Sequence, residues 1–175
     1  MIEGHEGGQT QSRLRLTYGM VGGGQGAFIG DVHRKAIAMD GVADLVSGCF
    51  SQDFDNTIKT GKGLGLHEER LYESYEEMFT AEKDRKDKLD FVVIVTPNNS
   101  HFPIAKLALE SGIHVVCDKP LTTTSRDAEE LKRMAADKDL LFMVTYAYTG
   151  YPVVKHAKEM VSHGDLGDIR FVSAE

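Results

Sequence analysis

Cysteine is scarce in this chain of 175 residues: Cys49 and Cys117 are the only two, and their separation fits no metal-ligand spacing. That excludes a disulfide scaffold and points to buried, reduced thiols in a cytoplasmic protein. Long apolar runs are missing too. No stretch approaches the roughly 18 residues of a membrane-spanning helix, and the acidic, glycine-rich start is no signal peptide. Positive charge is in deficit: 20 Lys and Arg against 27 Asp and Glu leave a net charge of −7. That is the wrong sign for gripping a phosphate backbone, so neither nucleic acid nor a membrane is an expected partner. The seven histidines form no metal-type cluster, and no metal is expected.

What is present describes one globular domain, or one domain and a piece of another: 41% hydrophobic and 27% charged residues suffice for a buried core. The organising stretch runs from Leu14 to Arg34. Leu14, Leu16, Tyr18 and Met20 alternate as in a strand. Six glycines follow between Gly19 and Gly30, and Ile29, Val32, Ala36 and Ile37 then recur at helical spacing. Gly22, Gly24 and Ala27 fit G-x-G-x-x-G/A, in which backbone N–H groups and a positive helix end surround a dinucleotide pyrophosphate. So many glycines leave several registers open, and an ordinary flexible loop is the alternative.

Further along, Ala43–Phe50 reads as a second strand. The segment from Asp53 to Leu66 suggests a short helix ending near Gly63 or Gly65, and a short strand is expected at Arg70–Tyr72. Ser74 with Glu77 should cap a helix running to about Glu82. The β-branched run Phe91–Val95 suits a strand buried on both faces. Strands at His114–Cys117 and Leu140–Thr145 follow, with helices to Ser111 and from Thr124 or Ser125 between them. A helix from Pro152 to about His163 and a last strand from Ile169 to Ala174 complete the pattern. Alternating strands and helices indicate an α/β fold with a doubly wound parallel sheet, of the Rossmann kind. The expected divisions are a tail over 1–12, a dinucleotide-binding domain over 13–149, and the beginning of a second domain over 150–175.

In such sheets ligands bind beyond the carboxyl ends of the strands. Three polar signatures fall there: the glycine loop, Thr96 to His101, and Asp118-Lys119-Pro120. Lys119 could exchange a proton with a substrate hydroxyl while hydride leaves the neighbouring carbon; a surface lysine paired with a carboxylate is the alternative. Thr96, Asn98 and His101 could hydrogen-bond ribose or nicotinamide, or Pro97 and Asn98 could form a turn with Asn99 or Ser100 capping the next helix. At the end of the second strand no carboxylate stands where an adenosine ribose would sit. Ser51 is the nearest polar group and Asp53 comes two positions later, so NAD and NADP both stay open. His33 and the other remaining histidines read as packing or surface residues.

Three segments together resemble the Gfo/Idh/MocA oxidoreductases: GMVGGGQGAFIGDVHRKAI, VVIVTPNNSHFPIAKLALESGIHVVCDKPLTTT and YPVVKHAKEMVSHGDLGDIRFVSAE. The resemblance implies a nicotinamide-dependent enzyme acting on hydroxyl groups of sugars, cyclitols or related polyols. It implies that Lys119, in the place of the lysine of Glu-Lys-Pro, assists proton transfer, and that Asp118 lies near the nicotinamide ribose. Gly22, Gly24 and Ala27 would line the pyrophosphate, with Phe28 and Ile29 in the same loop, and Pro97 is expected among the cofactor-binding residues. Three departures stand out. The glycine loop is about three residues longer than is usual in the family. Ala147-Tyr148 replaces a frequent Asn-Arg, putting the cofactor contact at Tyr148 in question. The chain also stops in what looks like the first strand of a second domain that carries further catalytic residues and often the subunit interface. Half an active site is therefore expected, able to bind a dinucleotide and to turn polyols over poorly; a homo-oligomer is implied only for a longer form. A non-catalytic dinucleotide-binding module, sensing redox state or supporting assembly, is the alternative function.

Overall fold

The computed structural model describes residues 15–173. The expected tail over 1–12, Leu14 of the first strand, and Ala174 at the chain's far end lie outside them. Five strands form one parallel sheet in the order β2-β1-β3-β4-β5, with β1 at Leu16–Val21, β2 at Ala43–Cys49, β3 at Phe91–Ile94, β4 at His114–Cys117 and β5 at Phe142–Val144. The helices are α1 (Phe28–Met39), α2 (Phe54–Gly63), α3 (Tyr75–Lys83), α4 (His101–Glu110), α5 (Ser125–Asp137) and α6 (Pro152–His163). This is the doubly wound fold the sequence predicts.

Side-chain alternation sorts β3 between two cores. Val92 and Ile94 join Met78 and Phe79 of α3, Leu109 of α4 and Leu131 of α5 on one face. Val93 joins Tyr18, Met20, Ile29 and Ile37 of α1, and Ile58 of α2 on the other. Val92, Val93 and Ile94 are fully buried, as a central parallel strand requires. On the α1 face the helical cover stops short of β4 and β5, so Met143 remains 55% exposed.

Local chemistry sets the helix ends. Ser74 Oγ accepts from Glu77 N–H at 3.1 Å and opens α3; the Glu77 carboxylate accepts in return from Glu73 N–H at 3.2 Å. Thr124, rather than Ser125, caps α5 by accepting from Asp127 N–H at 3.2 Å. Gly164 ends α6 in the left-handed conformation at φ 77°.

Among the described residues, two expected strands do not form. Glu68–Arg70 forms a tight 3-10 turn, and only a single bridge, Gly48 with Leu71, joins this segment to the sheet. The turn swings Arg70 inward, where its Nε donates to Glu82 Oε1 at 3.0 Å while Tyr72 Oη donates to the same oxygen at 3.0 Å. Residues 169–173 are also not a strand, and they are exposed and have no strand beside them. No residue of α6 is buried, and Val153 and Val154 stay exposed at 73% and 43%.

Candidate dinucleotide-binding site

Parallel register brings the three polar signatures to one rim. Val21, Ile94 and Cys117 are aligned across β1, β3 and β4. The glycine loop, Thr96 and Asp118-Lys119 therefore emerge side by side, at the β1/β3 position where the strand order reverses.

The glycine loop is held from below. Gly22 N–H donates to Cys49 O at 2.9 Å, Gly24 N–H to Phe50 O at 3.0 Å, and Ala27 N–H to Gly24 O at 3.0 Å. Gln25 N–H lies 2.9 Å from Asn56 Oδ1 and 3.0 Å from Thr60 Oγ1, both on α2. Gly22 and Gly23 have φ of 85° and 76°, a conformation that only glycine adopts without strain. A side chain at Gly24 would put its Cβ 2.6 Å from Asn56 Oδ1, and one at Gly30 would lie 2.5 Å from Gly23 Cα. The close approach of helix to loop thus belongs to Gly30, whereas Ala27 is exposed at the helix N-cap. Arg34 of α1 completes the clamp, its Nη1 donating to Gly23 O at 2.9 Å.

With those amides engaged, the start of α1 supplies further donors behind the turn. No side chain caps this helix. Its first-turn amides, those of Phe28 and Ile29, are among those a helix leaves without an internal acceptor. An uncapped helix end behind a glycine turn suits a phosphate group. Phe28 is 81% exposed and Ile29 half-buried.

Thr96 abuts Gly22, its Cγ2 lying 2.9 Å from where a Cβ on that glycine would stand. Ser100 Oγ lies 2.8 Å from Thr96 Oγ1 and 2.7 Å from the Pro97 carbonyl. Neither it nor Asn99 caps α4 with its side chain. Pro97 and Asn98 are exposed on this turn. His101 is a correction to the expected cofactor contact. It is 1% exposed, with Nε2 2.8 Å from Thr96 O and Nδ1 3.0 Å from Pro120 O. Both ring nitrogens face backbone carbonyls, so His101 braces the Thr96 turn against the Lys119-Pro120 turn and offers a ligand nothing. At the end of β2, Ser51 Oγ accepts from Asp53 N–H at 3.1 Å, and Asp53 caps α2 by accepting from Asp55 N–H at 3.1 Å.

Lys119 is exposed and lines a cleft of about 860 Å³ together with Ile29, His33, Val116, Asp118, Met143, Tyr146 and Tyr148. Tyr148 stands 75% exposed, edge-on to Tyr151 at a ring separation of 5.5 Å. Asp118 Oδ1 accepts from Lys119 N–H and from Thr145 Oγ1–H, each at 2.9 Å, and lies 3.7 Å from His33 Nε2. Burial, with the Asp118 charge adding, pushes the neighbouring Cys117 thiol up to about 12; burial likewise lifts Cys49 to about 11. Both are inert thiols. Asn56, Thr60 and Thr145 escape sequence reading because each meets the site across the fold, whereas Arg34 and His33 stand on the helix directly behind the glycine turn.

A strand–glycine turn–helix with a lysine on the same rim defines an α/β domain of the dinucleotide-binding class. The particular family follows from comparison. The family model described as "Oxidoreductase family, NAD-binding Rossmann fold" matches residues 16–146, and the chain belongs to this Gfo/Idh/MocA family. It is 38% identical over 161 residues to an uncharacterized oxidoreductase, YfiI, of Bacillus subtilis (strain 168), covering 91% of this chain and 41% of that protein. It is 34% identical over 86 residues to a D-xylose 1-dehydrogenase [NADP(+)] of Haloarcula marismortui, covering 49% of this chain and 24% of the other. An inositol dehydrogenase homolog of Azotobacter vinelandii, crystallised with NADH and myo-inositol, superposes with a TM-score of 0.87 at 39% identity. That match covers 89% of this chain and 41% of the homolog. The chain thus spans about two fifths of the length of two of these relatives, YfiI and the inositol dehydrogenase homolog.

Proposed function

We propose that this chain is the cofactor-holding part of an NAD(P)-dependent dehydrogenase whose substrate is a hydroxyl-bearing sugar, cyclitol or polyol. One observation carries the reading: the uncapped start of α1 behind the glycine turn and the exposed Lys119 share one rim, joined through Asp118 and His33. The Phe28 and Ile29 amides hold the pyrophosphate, while Gly22, Gly24 and Ala27 let the backbone approach it. Thr96, Pro97 and Asn98 border the nicotinamide half, Tyr148 closes the cleft mouth, and Ser51 meets the adenosine ribose. When bound, the nicotinamide supplies hydride transfer. Lys119 takes the substrate hydroxyl proton at Nζ as the carbon–oxygen bond gains double-bond character. Asp118 orients the ribose beside it. Residues 150–175 begin a second domain that completes the substrate side.

Fluorescence titration of the 175-residue chain with NADH and NADPH tests this directly. At least one of them should bind, and Gly24→Val, which drives a side chain into Asn56 and the Phe50 carbonyl, should abolish the signal. Failure of the wild-type chain to bind either cofactor would overturn the reading.

A further inference from the structure

His33 belongs to none of the polar signatures, yet its ring reaches the rim from the second turn of α1. Its Nε2 lies 3.7 Å from Asp118 Oδ1, an ion-pair distance rather than a hydrogen bond, with the two side chains only 11% and 15% exposed. The same oxygen accepts from Lys119 N–H and from Thr145 Oγ1–H at the end of β5. Three elements therefore converge on one atom: the helix behind the glycine turn, the end of β4 and the end of β5. Asp118 Oδ2 has no hydrogen-bond donor among the described residues. A carboxylate turns easily about its last torsion, which is broad and two-fold. Three contacts on a single oxygen remove that freedom and leave the other oxygen presented to the cleft.

We propose that His33 and Thr145 are positioning residues: acting through Asp118, they hold Oδ2 toward a cofactor ribose hydroxyl and fix the glycine helix to the Lys119 turn. This rests on the rim being the dinucleotide site. His33 contributes by walling the carboxylate in, and Thr145 by its hydroxyl. The remaining ionisable groups lining the same cleft are Lys119, Tyr146 and Tyr148. Among the described residues, none of these side chains hydrogen-bonds Asp118.

The test is calorimetric NADH binding by the 175-residue chain in a double-mutant cycle, with thermal midpoints measured alongside. His33→Ala and Thr145→Val should each weaken NADH binding about fivefold. Thr145→Ser should restore it. Neither substitution should weaken binding further once Asp118→Ala is present, because nothing is left for them to act through. A purely structural role would lower the thermal midpoint and weaken binding equally in both backgrounds. His33→Asn replaces His33→Ala if the latter does not fold. Unchanged affinity in the single variants, or effects that persist in full beside Asp118→Ala, would overturn the proposal while leaving the dinucleotide reading intact. No NADH binding by the wild-type chain would overturn that reading, and the proposal with it.

Discussion

Gly30→Ala is a small change with a large expected effect. A Cβ at this position would stand 2.5 Å from Gly23 Cα, 2.8 Å from Gly23 O and 3.0 Å from Arg34 Nη1. The first two are backbone atoms of the turn that faces the pyrophosphate, and they cannot swing aside as a flexible side chain does. Ordinary contact begins at 3.4 Å, so α1 and the Gly23 turn must part by about 1 Å. Overpacking of this kind costs about 1 to 3 kcal/mol. At about 2 to 4 °C per kcal/mol for a chain of this size, a mid-range cost lowers the melting midpoint by about 4 to 8 °C. The shift also pulls Arg34 from Gly23 O and moves the start of α1, so NADH affinity should fall at least tenfold, an effect worth about 1.4 kcal/mol. Gly63→Ala is the control. It ends α2 with nothing within 4 Å of its Cβ, and should melt at or slightly above the wild-type midpoint. Scanning calorimetry and NADH titration of the two variants decide the matter. A Gly30→Ala protein with wild-type melting and wild-type affinity would refute the close approach of α1 to the turn.

Other expectations follow from separate features. The buried thiols should resist alkylation in the native protein at pH 8. Because burial raises Cys49 to about 11 and Cys117 to about 12 from an ordinary 9.0, the unfolded chain loses these protons first as pH climbs. Stability should therefore fall between about pH 9 and 12, seen as a lower urea midpoint at pH 10 than at pH 8; a higher one contradicts the assignment. Arg70→Met strands the Glu82 carboxylate, which is fully buried, and should cost about 3 to 5 kcal/mol in chemical denaturation, most of it recovered when Glu82→Leu is added. A loss below 1 kcal/mol would mean that water reaches Glu82. Lys119→Ala removes an exposed side chain and should leave the melting midpoint unchanged. Its effect should appear in turnover once a second domain is present, and no effect there would refute proton transfer by Lys119.

The sheet was legible because burial leaves a periodic trace. The Phe91–Val95 run and the alternation through Tyr18 and Met20 point to strands that the structure contains. The two failures have different causes. Residues 70–72 have strand-forming character, but Arg70 is drawn into the buried ion pair with Glu82. Phe171 and Val172 read as a strand, but no neighbouring strand lies beside them. At the rim, residue type and position after a strand marked segments that the parallel register brings side by side, without telling which way a side chain points. His101 turns into the protein and Asn98 outward, a difference that no spacing encodes. Gly30 could not be separated from its five companions until the helix lay against Gly23. His33 and Asp118 are far apart in sequence, and only the crossover of the parallel sheet makes them neighbours.

Amide chemical shifts recorded while NADH is added bear most directly on the claim that these strand ends form one site. The account predicts that Gly26, Phe28 and Ile29 shift together with Lys119, all following a single dissociation constant, while residues of α5 stay in place. Shifts confined to the glycine turn with Lys119 unmoved, or no shifts at all, would contradict it.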